Sequence, residues 1–175
     1  MLILDPKIID IDIDLLDRID EDAKSIYRAI TFCKKTSSKL LLDTFIEATN
    51  TMTQILSIKN AQMEATSEDE VEMYHKNLQK VILFIIGEIK EHIPFDSQVQ
   101  LFQVFRMVSP ESHVKHPNQY RNKLVQIGGY LCPEPNRING LTEQVFVNMK
   151  TIKNPLIKAI YFHHEMIRIH PFVDG

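Results

Sequence analysis

The sequence predicts an all-α domain interrupted by one short β-hairpin, and three observations carry that prediction. Apolar residues recur at helical spacing through most of the chain. Glycine is scarce, five residues in all, and three of the five lie between Gly128 and Gly140. The one alternating stretch, Lys123-Leu124-Val125-Gln126-Ile127, stands directly before the turn pair Gly128-Gly129.

The elements follow in order. Leu15, Leu16, Ile19, Ala23, Ile26 and Ile30 share one face of a helix over about 12–33. Ser37 or Ser38 is positioned to cap a second helix reaching about Asn60, with Leu41, Leu42, Phe45, Ile46, Thr49 and Met52 on its apolar side. Ser67-Glu68-Asp69-Glu70 reads as a capping box whose acidic first turn suits the helix dipole. The helix it opens runs through Val81-Ile82-Leu83-Phe84-Ile85-Ile86, apolar on all sides, which predicts a central buried helix. Pro94 ends it, and Asp96 is the expected cap of a short helix from Ser97 to Val108. Ser109-Pro110 and His116-Pro117-Asn118 mark a loop. The hairpin comes next, with Tyr130-Leu131-Cys132 as its second strand and Pro133 and Pro135 closing it. Two helices follow, Leu141 to Lys150 and Pro155 to about Ile167, the latter with proline at its first position.

Bulk properties narrow the function classes. A chain of 175 residues, 44% hydrophobic and 25% charged, is globular and fits one domain. The net charge of -3 supplies no basic field, so neither nucleic acid nor an anionic membrane is an expected partner. Cys33 and Cys132 form no CxxC pair and read as buried thiols of a reducing compartment. The N-terminus has acids every few positions and no basic start, unlike a signal peptide. The longest apolar stretch is too short to span a bilayer, so a cytoplasmic protein is expected. There is no Walker loop and no GxGxxG. His163, His164, Glu165 and His170 do not read as a metal set, because adjacent helix residues point in different directions. His163 is expected in the core, hydrogen-bonded.

The chain ends Ile169-His170-Pro171-Phe172-Val173-Asp174-Gly175. This resembles the opening of the Fic signature, HPFx(D/E)GN(G/K)xxR. His163, seven residues before the motif histidine, and Ile169 directly before it match the family's approach. His116-Pro117-Asn118-Gln119-Tyr120-Arg121 resembles the family's pGxyR element, with Asn118 in place of glycine. Val125-Gln126-Ile127-Gly128-Gly129 followed by Pro133-Glu134-Pro135 resembles its flap hairpin. The likeness divides the chain into a helical N-terminal extension, 1–44, and a Fic domain, 45–175, incomplete at its C-terminus.

The resemblance implies a protein adenylyltransferase that moves AMP from ATP onto a Ser, Thr or Tyr hydroxyl of a target protein. A neutral imidazole is a natural proton acceptor near neutral pH, which makes His170 the candidate base. Asp174 would hold magnesium (Mg2+) against the phosphates. Gly175 would let backbone amides approach the nucleotide. Phe172 is expected to pack inward and fix the turn. Leu124, Val125, Gln126 and Ile127 form the edge on which a target segment would add as a strand. A close variant would transfer UMP or phosphocholine instead. The rival reading is a non-catalytic remnant that only binds a partner through the hairpin edge.

Two departures from the family pattern bear on activity. The signature's Asn-Gly-x-x-Arg does not follow Gly175, so residues 1–175 alone are expected to show no nucleotidyl transfer. Many relatives also carry an inhibitory (S/T)xxxE(G/N) helix. The best register here is Ile55 to Asn60, which puts Lys59 where the glutamate belongs. A lysine cannot pair with the motif arginine, so in that register the restraint is lost.

Overall fold

The computed structural model describes residues 3–9, 12–32, 68–110 and 117–173. The predicted helix from Ser37 to Asn60, Lys59, His116, and the terminal pair Asp174 and Gly175 lie outside these residues. The fold is mainly helical, with one small antiparallel hairpin. The chain forms two compact units. One comprises Met1–Glu21, Phe95–Arg106 and Pro110–Gly175, the other Asp22–Pro94 and Met107–Ser109.

Helix α1 spans Ile13–Phe32, within a residue of the predicted bounds at either end. Asp12 caps it, its carboxylate accepting from the Leu15 amide at 2.9 Å. Helix α2 spans Glu68–Lys90. Its apolar run corrects an expectation: Val81 and Ile82 are buried, whereas Leu83 is 50% exposed and Ile85 is exposed as well. A run apolar on every side does not by itself make a helix central; burial depends on what packs alongside it. The helix ends in paired capping bonds, Ile93 N to Glu88 O at 2.9 Å and His92 N to Ile89 O at 3.1 Å. His92 takes the left-handed conformation this motif uses, with φ 56°.

Helix α3 spans Gln98–Val108, its residues up to Arg106 belonging to the first unit. Its cap is Ser97 with Gln100, not Asp96. Ser97 Oγ accepts from the Gln100 amide, and Gln100 Oε1 accepts from the Asp96 amide and from Ser97 Oγ. The reason is reciprocal satisfaction: Ser-x-x-Gln closes both ends of the turn, which a lone carboxylate cannot.

Strands β1, Gln126–Ile127, and β2, Tyr130–Leu131, pair antiparallel with Gln126 opposite Leu131 and Ile127 opposite Tyr130. Gly128 has φ 55° and Gly129 does not share it, the φ pattern of a type II′ turn. Both strands are shorter than the sequence suggests. One further bond, Cys132 N to Val125 O at 3.0 Å, extends the pairing. Beyond it the Lys123 and Pro133 carbonyls accept from the Arg121 guanidinium instead of from amides of the opposite leg.

Helix α4 spans Pro135–Thr151, starting six residues before the predicted Leu141. Pro135 is its first residue rather than the end of a strand, a position where proline's missing donor costs nothing; Gly140 lies inside the helix. Helix α5 spans Pro155–Ile169, and the Asn154 side chain caps it by accepting from the Leu156 and Ile157 amides. Ile138, Thr142, Val145, Phe146 and Met149 on α4 are buried at helical spacing, as are Tyr161, Glu165 and Ile169 on α5. These helices pack together, and with Leu101 and Phe105 of α3 they build the core of this unit. Among the described residues no helix is long and apolar enough to cross a membrane.

Candidate active site

The site is built where α5 stops. The last helical turn closes with the His170 amide bonded to Met166 O at 2.8 Å, and His170 then adopts φ 45° and ψ 67°. A left-handed conformation is unusual for a residue with a Cβ and persists only where surroundings impose it. Here both neighbours are fixed: Ile169 on one side, and Pro171 and Phe172 on the other, are buried, while His170 itself is half-buried.

Phe172 anchors the turn. Its ring stacks on Phe105 with centroids 3.9 Å apart and planes at 5°. It also meets Phe102 edge-on at 5.7 Å and Tyr120 at 5.6 Å. It is therefore core, as the sequence suggests. Tyr120 belongs to the same aromatic group and donates to Gln98 Oε1 at 2.7 Å. Burial pushes its hydroxyl up to about 12, offset in part by the nearby Thr142 hydroxyl.

Arg121 joins the turn to the hairpin, and its role is the feature sequence reasoning missed. Only 3% of it is exposed. Nε donates to His170 O at 2.6 Å and Nη1 to Lys123 O at 2.6 Å. Nη2 donates to Pro133 O at 2.7 Å and Ile169 O at 3.1 Å. Its own amide donates to Pro171 O at 2.8 Å. Burial holds this guanidinium below its ordinary value, yet an arginine stays charged throughout the working range. The signal in the sequence was the arginine that closes the pGxyR-like element, just before the alternating stretch. Asn118, standing where the resembled element has glycine, has φ 52°. Asparagine tolerates that region better than other side chains.

The predicted target-binding residues have the character of an edge: Leu124 is 61% exposed, Gln126 and Ile127 are exposed, and Val125 is half-buried. Through Arg121 the hairpin's legs and the His170 main chain are brought together. Asp174 and Gly175 lie outside the described residues. His163 is a correction. It is exposed, on the solvent side of α5, while Glu165 two positions on is the buried polar residue of that helix. Glu165 Oε1 accepts from the Leu4 amide at 3.3 Å and Arg168 Nη1 at 2.8 Å. Cys132 is a buried free thiol. Among the described residues no group of three His, Cys, Asp or Glu side chains could hold a metal ion. A groove of about 590 Å³ lies between residues 3–6 and α4, lined by Arg137, Leu141, Gln144 and Asn148 among others, and includes no motif residue.

A helical domain whose α5 ends in a constrained His-Pro-Phe turn, tied by one buried arginine to a hairpin with an exposed edge, has the architecture of a Fic-type domain. The family model described as Fic/DOC family matches residues 51–175. The chain belongs to the Fic/DOC family, and membership points to transfer chemistry of the AMPylation type in general. No curated protein and no solved structure matches it.

Proposed function

We propose that this protein is an adenylyltransferase that moves AMP from ATP to a Ser, Thr or Tyr hydroxyl of a target protein. The observation that carries the reading is the left-handed His170 at the end of α5, its carbonyl bonded to the arginine that also holds both legs of the hairpin. The exposed Leu124–Ile127 edge takes a target segment as an added strand. His170 accepts the proton of the incoming hydroxyl, whose oxygen bonds to the α-phosphorus while pyrophosphate leaves. Gly175 lets backbone amides approach the phosphates. Asp174 is assigned to hold Mg2+, which neutralises phosphate charge when bound. A cytoplasmic target is the expected setting.

The test is transfer of label from α-labelled ATP to protein by the full-length protein incubated with lysate. His170→Ala should lower it by about 10²–10⁴-fold, the usual worth of a positioned base. Equal labelling by the variant, or label arriving only from a UMP or phosphocholine donor, would overturn the reading. A target captured by the hairpin without any transfer would favour the binding remnant.

A further inference from the structure

We propose that Arg121 is a positioning residue whose single guanidinium sets the register between a strand docked on the hairpin and the His170 turn; this rests on the adenylyltransferase reading above. The acceptors of its four side-chain bonds fall into two pairs. Ile169 O and His170 O are terminal carbonyls of α5, which have no donor in the helix beyond them and lie at the negative end of its dipole. Lys123 O and Pro133 O lie on the two legs of the hairpin, just past the last main-chain bond between them, Cys132 N to Val125 O. Nη1 on one leg and Nη2 on the other act as the next rung of the ladder. Nη2 and Nε on the helix carbonyls fasten that rung to the turn. The Arg121 amide adds a third tie, at 2.8 Å to Pro171 O.

Together these attachments remove the freedom of one part to move without the other. A two-stranded hairpin by itself is marginally stable in water. Its legs keep their place here because a buried, charged fork holds them. The fork is specific to arginine. Lysine carries the charge but is a point donor on a flexible stem and cannot span carbonyls lying in several directions. A strand added to the Leu124–Ile127 edge therefore inherits a fixed distance to the histidine turn. This makes Arg121 a determinant of which acceptor hydroxyl reaches the base, through position rather than contact.

The test compares the full-length protein with Arg121→Lys and Arg121→Ala by amide hydrogen exchange. In Arg121→Lys, exchange should rise by about tenfold or more in both the 120–133 and the 166–173 segments, as expected when a local set of buried bonds opens. Protection along α4 should stay at the parent level. Loosening of only one segment overturns the proposal. So does loosening of α4 by the same factor, since the residue would then merely hold the fold. A transfer assay separates this proposal from the one on which it rests. Arg121→Lys should lower modification of the target more than it lowers hydrolysis of ATP by water, which needs no docked strand. An unchanged ratio of the two also overturns it. If the parent and His170→Ala alike transfer nothing while the two segments still loosen together, the adenylylation reading falls and the clamp stands.

Discussion

The His-Pro-Phe turn and the hairpin tip are two short irregular segments of one unit, and they are built in opposite ways. In the turn, Ile169, Pro171 and Phe172 are buried, and an aromatic group holds Phe172 from more than one side. In the hairpin, Leu124, Ile127, Tyr130 and Leu131 face solvent, and the regular pairing is two residues long. Core packing fixes the turn, whereas the Arg121 side chain, bonded to carbonyls at the base of the hairpin, fixes its legs and leaves its edge open. The contrast suits a division of labour. A proton acceptor needs one defined location, while a surface that receives a segment of another protein needs an edge with unspent donors and acceptors.

The largest expected effect attacks the turn. Phe172→Ala removes a ring stacked on Phe105 and leaves a cavity among Phe102, Phe105 and Tyr120. Loss of a buried phenylalanine costs about 3–5 kcal/mol, so chemical denaturation should show a midpoint well below that of the parent. If the turn were as loosely held as the hairpin tip, the loss would stay under about 1 kcal/mol, and the comparison would fail.

How much of this was legible in the sequence differs between the same two regions. The turn was readable because His170-Pro171-Phe172 combines a helix stop with a residue that must be buried, and both are local properties. The bounds of α1 and the glycine turn of the hairpin were readable on the same ground. The strand lengths were not, because the competitor for the Lys123 and Pro133 carbonyls is a side chain whose helix partners lie 48 and 49 residues away. The start of α4 was missed because Pro135 fits equally well after a strand or at the first turn of a helix. Burial of α2 was overestimated, and His163 was assigned to the core when Glu165 holds that place. In both cases helical periodicity says which residues share a face, and not which face meets a neighbour. Asn118 shows the reverse: the substitution of a motif glycine looked like a departure, and its positive φ shows the same backbone demand met by another residue.

A smaller effect tests the aromatic group through pH. Tyr120 titrates near 10 when exposed and at about 12 in the fold, because burial disfavours the phenolate. The native state keeps a proton there that the unfolded chain gives up. Stability from this group is therefore complete below about pH 10 and is lost as pH rises toward about 12. Melting temperature followed over that window should fall more steeply for the parent than for Tyr120→Phe. The variant also forgoes the bond to Gln98, about 1 kcal/mol at neutral pH. Tyr161, raised chiefly by burial, keeps a residual slope in the variant. Identical slopes in the two proteins would mean that Tyr120 is wet, and that the turn's packing is looser than its ring contacts imply.

The smallest effect on stability is also the sharpest test of the division. Leu124 and Leu131 are 61% and 62% exposed, so each tolerates Asp with a change within about 0.5 kcal/mol. They lie on opposite legs of the hairpin: Leu124 stands two residues before β1, whose edge is proposed to receive the target, and Leu131 belongs to β2. Equal exposure makes one the control for the other. Leu124→Asp should depress labelling of the target protein while ATP hydrolysis by water continues, because a charge on the docking edge disfavours an added strand. Leu131→Asp should leave labelling near the parent level. If both substitutions depress labelling equally, the target grips the tip as a whole and not one edge. If neither does, recognition lies elsewhere on the molecule, and the exposed apolar residues of the hairpin need another explanation.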